Sequence, residues 1–282
     1  MELPSARIPL SRTDPIAICT IPSRQRPGTW RNSPYAFSFL PSSDRMFHVK
    51  HSRATSGAQE SLRQSRRRSK IPSVLDQSRL QHLVEPFGLE LTPTQAGQTL
   101  AYLELLLRWN EKINLTAIRN PADCVTRHFG ESLFLACHLQ LHGSLLDIGS
   151  GAGFPGLALK IVFPELSVTL LEPVTKKRAF LKEAARVCGF DRVAVVGDRL
   201  EELVSATPTP AFDFATMRAV GNLDELIPLA ARCLKPGGNL LLWLSQEQAA
   251  GLATIDSGLT WQGPLPIPLS RTTEIWRGVK PF

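Results

Sequence analysis

The 282-residue chain has few cysteines and no long apolar run, and each of these features argues against certain classes of protein. Its five cysteines form no Cys-x-x-Cys pair and no set with the histidines that suits a metal ion. No apolar stretch approaches the ~20 residues needed to cross a bilayer. We therefore expect no metal centre, no disulfide framework and no membrane anchor, and a reducing, cytoplasmic location.

The net positive charge of the chain comes from its first part. Residues 1–75 hold 13 Lys or Arg and 4 Asp or Glu, a net charge of +9, whereas residues 76–282 carry −2. The total of +7 therefore gives no support for nucleic-acid binding by the remainder. The segment 1–73 is rich in Pro, Ser and Arg, without helical or strand periodicity, which predicts a disordered basic tail.

Three explanations of this tail stay open. It is an Arg- and Ser-rich transit peptide, or a basic arm that tethers RNA, or in part a misplaced translation start. We favour the third explanation, with the true start at Met46, because Met46-Phe-His-Val-Lys50 is a typical beginning for the family introduced below.

The stretch Leu145–Gly156 predicts a buried strand, a glycine-rich turn and a helix opened by Pro155. Gly151-Ala-Gly-Phe-Pro-Gly156 matches the dinucleotide fingerprint G-x-G-x-x-G. However, Gly149 already fills the place at the end of the strand where that fingerprint should begin. The alternative pattern, two apolar residues, Asp147, an apolar residue, Gly149 and Gly151, resembles the first motif of class I S-adenosylmethionine (SAM) methyltransferases.

Alternating apolar strands and helices follow this turn, which predicts a parallel sheet covered on both faces. We expect strands at 168–172, 192–197, 212–218 and 239–244, and helices at 175–187 and 223–234. Ligands of such sheets bind beyond the carboxyl ends of the strands. The residues expected at those ends are Asp147, Gly149, Glu172, Asp198 and Arg218. Glu172 lies 23 residues after Gly149, a distance that suits hydrogen bonds to ribose hydroxyls.

The end of the chain completes the predicted fold. Lys235-Pro-Gly-Gly238 predicts a tight turn and resembles the turn before the fifth strand of class I methyltransferases. The last two strands are expected at 265–269 and 273–279, and the prolines of the former imply an edge position or an interrupted strand. The prediction is an α/β class I SAM-dependent methyltransferase (Rossmann-like) fold: a seven-stranded, mostly parallel sheet at 141–282 with a helical cap at 74–140.

Three separated blocks of sequence identify a family. Leu106–Ile118, Arg127–Leu133 and Asp147–Gly156 resemble the bacterial small-subunit rRNA guanine-N7 methyltransferases, also called glucose-inhibited division protein B. The resemblance implies methylation at N7 of a guanine in the 530 loop of 16S rRNA (position 527 in the usual RNA numbering). It implies a monomer that binds SAM and the small ribosomal subunit. This chain differs from the family at Glu131, where Asp is frequent, and at Leu244-Ser245, where the family usually has a Lys-Gly pair.

The resemblance carries cofactor contacts over to five positions, and the turn itself adds two. Those carried over are Gly149, Phe154, Leu200, Glu201 and Arg218, and those added are Gly151 and Glu172. We expect no catalytic acid or base, because guanine N7 offers its lone pair without losing a proton.

Several alternatives stay open. Arg218 and the pair Arg127-His128 are candidates for contacting guanine or phosphate, or for holding core loops. For Lys176–Arg178 we favour a solvated helix face, with contact to phosphate as the alternative. The rival functions are an NAD-dependent oxidoreductase, a SAM-dependent enzyme for another substrate, and a non-catalytic assembly factor.

Overall fold

The computed structural model describes residues 75–206 and 209–282, together with the backbone of Cys19–Thr20. The remainder of the predicted tail, and with it Met46, lies outside the described residues. Within the described ranges, no helix is long and apolar enough to cross a membrane. No group of three or more His, Cys, Asp or Glu side chains in these ranges is arranged to hold a metal ion.

Seven strands form one sheet, in the order β5-β4-β3-β6-β7-β9-β8. Their bounds are Ser144–Ile148 (β3), Ser167–Leu171 (β4), Val193–Val196 (β5), Phe212–Arg218 (β6), Leu234–Ser245 (β7), Thr260–Pro266 (β8) and Thr273–Val279 (β9). Strands β3 to β7 are parallel, and β9 runs antiparallel to both β7 and β8. The predicted seven-stranded, mostly parallel sheet is confirmed. A separate pair of two-residue strands, Cys19–Thr20 (β1) and Leu89–Glu90 (β2), is parallel.

Helices cover both faces of the sheet. They are Gln77–Val84 (α1), Pro93–Asn110 (α2), Pro121–Cys124 (α3), Glu131–Leu133 (α4), Gly156–Val162 (α5), Thr175–Val187 (α6), Leu200–Ala206 (α7), Leu223–Cys233 (α8) and Gln246–Ala250 (α9). A π-helical segment, Val125–Gly130, joins α3 to α4, and 3-10 turns occur at 85–87, 134–137 and 252–254. One core contains residues of α1, α2, α5 and α6, and a second contains residues of α7 and α8.

The N-terminal helices share the first of these cores with the sheet. Helix α2 begins with a capping box, in which Thr92 Oγ1 accepts from the Gln95 N–H and Gln95 Oε1 accepts from the Thr92 N–H. Further along, α2 buries Tyr102 and Leu106 against side chains such as Leu157 of α5. The proposed division into a cap at 74–140 and a methyltransferase domain at 141–282 stays a prediction.

The predicted bounds are met in the middle of the sheet and missed at its last edge. Helix α6 and strand β6 have the predicted bounds. The prediction of a separate turn at Lys235–Gly238 is wrong, because pairing with β6 passes from Leu234 to Asn239 and the four residues bulge out within β7. Strand β8 ends three residues before the predicted end, although its edge position is confirmed.

Candidate functional site

The carboxyl ends of β3, β4 and β6 form the edge at which a ligand of this fold binds. Strand β3 lies between β4 and β6, so the strand order changes direction at β3: β4 and β5 extend the sheet on one side, and β6 and β7 extend it on the other. Crevices of open parallel sheets lie at such a switch in strand order. The predicted residues Gly149, Glu172 and Arg218 follow or end these three strands, and Leu200 opens the helix after β5.

The glycine turn after β3 needs its glycines. Gly149, Gly151 and Gly153 have φ angles of +70°, +55° and +83°, values that side chains disfavour. A Cβ on Gly149 would come within 2.9 Å of Val220 Cγ1, on the loop after β6. Glycine at position 149 therefore lets the turn pack closely against Val220 at the switch point.

Glu172 ties this turn to the neighbouring strand. Its side chain is buried, and its oxygens accept from the N–H groups of Gly151 at 2.8 Å and Val174 at 2.9 Å. Each oxygen keeps a second lone pair. The carboxylate thus shapes the turn, and its contact with ribose hydroxyls stays a prediction.

Asp147 supports the turn from below. The residue is 1% exposed, and its Oδ1 accepts from the Thr216 hydroxyl at 2.7 Å, while Oδ2 has no hydrogen-bond partner among the described residues. The pKa of Asp147 is raised to about 6: burial is the main cause and the charge of Glu172 adds to it, whereas the Thr216 hydrogen bond acts in the other direction. A Cβ at Gly156 would lie 2.7 Å from Oδ2, so the first residue of α5 must be glycine at this packing distance.

Aromatic rings pack around the far end of the turn. Phe154 stacks with Tyr102 at a centroid distance of 5.3 Å and with His128 at 4.8 Å. The Tyr102 hydroxyl donates to the carbonyl of Ala152 at 2.5 Å. Phe154 is largely buried by these rings, and its contact with a cofactor stays a prediction. Sequence reasoning missed Tyr102, whose place in an apolar helical stripe gave no sign of a partner 50 residues away.

Arg218, at the end of β6, holds the segment before the sheet. Its guanidinium donates to Glu131 Oε2 at 2.6 Å, to Ser132 Oγ at 3.0 Å and to the carbonyl of Arg127 at 2.5 Å. The side chains of Arg218 and Glu131 are 14% and 5% exposed. Of the roles that the sequence left open for Arg218, the structure shows contact with a core loop. A contact with cofactor or guanine stays a prediction.

Burial disfavours both charges of this pair. It raises the pKa of Glu131, against the lowering effect of Arg218, and it lowers the pKa of Arg218. Four further hydrogen bonds to Arg218 and Glu131 stabilise the pair against this cost. Trp243 of β7 adds one of them, from its Nε1 to the carbonyl of Glu131 at 2.9 Å. The ends of two adjacent strands therefore grip the same segment.

His128 lies in the π-helical segment, a type of helix that is frequent at functional sites. Its Nε2 is 2.8 Å from the hydroxyl of Thr116. Burial lowers its pKa to about 3, with smaller contributions from the charges of Arg218 and Arg127. The imidazole is therefore neutral at physiological pH. Sequence reasoning named His128 but missed Thr116, which lies within Leu106–Ile118 and has no distinguishing pattern of its own.

The remaining predicted residues lie on the far side of the turn. Leu200 is buried in the second core, and Glu201 is exposed in the first turn of α7. Of the basic run at 176–178, Arg178 donates to the carbonyls of Glu172 and Pro173. Arg178 therefore braces the backbone after β4, and Lys176 is left as the exposed cation of that run.

A family model described as rRNA small subunit methyltransferase G matches residues 95–263, which is more than half of the chain. The chain belongs to this family. The resemblance found in the sequence and the predicted fold class are thereby confirmed. The cofactor of a member of this family is SAM, and the interpretation of Gly151–Gly156 as a dinucleotide loop is set aside.

Similar proteins carry the same name. Ribosomal RNA small subunit methyltransferase G of Alkaliphilus metalliredigens is 38% identical over 157 residues, which are 55% of this chain and 66% of the relative. That of Methylobacillus flagellatus is 37% identical over 171 residues, or 61% and 80% of the two chains. The match thus spans just under two thirds of the first relative. A SAM dependent methyltransferase from Aquifex aeolicus is 16% identical, with a TM-score of 0.46 over 56% of this chain and 92% of that one.

Proposed function

We propose that this chain transfers a methyl group from SAM to N7 of a guanine in the 530 loop of 16S rRNA. The observation that carries the proposal is the family match over residues 95–263, which includes the glycine turn at the switch point. Its substrate is the rRNA of the small ribosomal subunit, and it works as a monomer in the cytoplasm without a metal ion.

The proposed cofactor contacts surround the glycine turn. Gly149 and Gly151 let the backbone approach SAM, and Glu172 offers its remaining lone pairs to ribose hydroxyls. The first turn of α7 closes the site beyond β5. The full proposed set is Gly149, Gly151, Phe154, Glu172, Leu200, Glu201 and Arg218.

The chemistry asks the chain to orient the reactants. Bound SAM supplies a methyl group made electrophilic by its sulfonium. Guanine N7 has a free lone pair and no proton to lose, so no residue has to act as a base. The lone pair would form the new bond to the methyl carbon as the bond to sulfur breaks, which leaves S-adenosylhomocysteine. The work of the protein is to hold N7 in line with the methyl carbon and to exclude competing orientations, which is an effect of proximity. A neutral His128 suits this task, because it adds no positive charge beside a cationic cofactor.

The direct test is methyl transfer to small subunits from cells that lack the modification. Purified enzyme, subunits and SAM with a labelled methyl group should give 7-methylguanosine, mapped to the 530 loop. Gly149→Val should give none, whereas His142→Asn, at the opposite edge of the sheet, should match the wild type. Label on another base would contradict the position, and no label in RNA would contradict the substrate class.

Cofactor binding gives an independent test. Titration calorimetry should show that S-adenosylhomocysteine binds and that NAD does not. The binding and the transfer should both survive EDTA, as expected of a reaction without a metal ion. Loss of transfer in EDTA that added metal restores would contradict that part of the proposal.

A further inference from the structure

His128 reaches across the switch point of the sheet. Its ring stacks with Phe154, on the turn after β3, at an interplanar angle of 17°. Its backbone carbonyl accepts from Arg218, at the end of β6, at 3.4 Å. One residue is therefore held from both strands that border the crevice. Its imidazole therefore lies beside the glycine turn that we propose to hold SAM.

The hydrogen bonds of Thr116 decide which nitrogen of this imidazole carries the proton. Thr116 Oγ1 accepts from the N–H of Ile118 at 3.1 Å. Its own hydrogen has one acceptor within the described contacts, the Nε2 of His128 at 2.8 Å. We therefore assign Thr116 as the donor to Nε2, which puts the hydrogen of the neutral ring on Nδ1.

This Nδ1–H has no acceptor among the residues that the structure describes. Nδ1 is not among the buried unpaired polar atoms, so a ligand that enters the site can reach it and accept its hydrogen bond. Burial, with smaller contributions from the charges of Arg218 and Arg127, lowers the pKa of His128 and keeps the ring from gaining a second proton. The site thus presents one fixed neutral donor beside the glycine turn.

We propose that the Nδ1–H of His128 donates to O6 of the target guanine, with Thr116 and Phe154 as the residues that position its ring. The proposal rests on the proposed function. Guanine shows two adjacent acceptors on this edge, O6 and N7, whereas adenine shows an amino group in place of O6. A donor to O6 leaves N7 free to attack and rejects adenine, because two N–H donors would then face each other. His128 thereby determines specificity without taking part in proton transfer.

The test pairs changes in the enzyme with changes in the base. Small subunits are reconstituted with 16S rRNA that carries guanine, inosine or 2-aminopurine at the target position. Inosine keeps O6 and N7, whereas 2-aminopurine keeps N7 and lacks O6. The wild type should methylate guanine and inosine at similar rates, and 2-aminopurine with kcat/KM about tenfold lower, the cost of leaving a donor unpaired.

Variants at position 128 separate the donor from the ring. His128→Phe keeps the stacking and loses the donor, so kcat/KM on guanine should fall about tenfold with no further fall on 2-aminopurine. His128→Asn places an amide N–H close to the position of Nδ1 and should retain most activity. His128→Gln places its amide toward Thr116 instead and should behave like His128→Phe. All three should bind S-adenosylhomocysteine as the wild type does, and His142→Asn is the matched control.

Two results would overturn the inference while leaving the proposed function intact. One is an equal loss for His128→Phe on guanine and on 2-aminopurine, which would indicate a contact with phosphate or a purely structural role. The other is weaker cofactor binding in all three variants, which would place His128 at SAM. Failure of the wild type to methylate guanine would instead contradict the proposed function, and the inference with it.

Discussion

Replacing Glu131 by Gln removes one charge of the buried pair and keeps the size of the side chain. Arg218 is then left with its charge in a site where its side chain is 14% exposed. Breaking a buried pair by removing one partner costs about 3–5 kcal/mol. We expect the low end, about 3 kcal/mol, because Arg218 keeps its hydrogen bonds to Ser132 and to the carbonyl of Arg127.

The assay is urea unfolding at pH 7 of the wild type, Glu131→Gln, Arg218→Met and the double variant. A loss of about 3 kcal/mol corresponds to a fall in Tm of about 6–12 °C for a domain of this size. The double variant should lose less than the sum of the single ones, because the second change removes the uncompensated charge. A loss below about 1 kcal/mol for Glu131→Gln, or strict additivity, would refute the argument that this pair is buried and coupled.

Three further changes follow from the site. Gly149→Val should abolish binding of S-adenosylhomocysteine in calorimetry, whereas Gly97→Ala, with nothing within 4 Å, should leave it intact; equal binding would contradict the role of the turn. Thr216→Val should cost about 1–3 kcal/mol in urea unfolding. The same change should raise the pKa of Asp147 above about 6, because it removes a hydrogen bond to the charged carboxylate. The variant should therefore lose more free energy of unfolding than the wild type as pH rises from 4 to 7. An unchanged dependence of stability on pH would count against the hydrogen bond. The pKa of His128 is about 3 in the fold, below its ordinary 6.5, so its contribution to stability is lost as pH falls from 6.5. His128→Phe should therefore lose less stability than the wild type between pH 7 and 4.5, and an equal loss would show that the pKa of His128 is not lowered in the fold.

Sequence reasoning succeeded where local patterns carry the information. The bounds of β6 and α6 follow from a continuous apolar run and from helical periodicity ended by Gly189. The register of β8 has no such pattern, because Gly263 and two prolines interrupt an edge strand that is exposed along most of its length. Its predicted bounds were accordingly displaced by several residues.

The site was predictable in position and less so in role. The places of Gly149 and Glu172 follow from strand ends, which sequence shows. The partners of Arg218 lie 86 to 91 residues away, and no local pattern reports contacts at that separation. The π-helical form of Val125–Gly130 was likewise hidden, because it depends on how neighbouring strands hold the segment.

The hydrogen bond from Tyr102 to Ala152 bears on how this protein can be divided. Tyr102 belongs to the cap, yet its ring closes the turn that follows β3, and a Cβ on Gly153 would collide with its hydroxyl. A fragment that begins at residue 141 would contain the whole glycine turn but lack Tyr102, against which the turn packs. We therefore expect the smallest piece able to bind the cofactor to include α2, so that the two predicted domains would work as one unit.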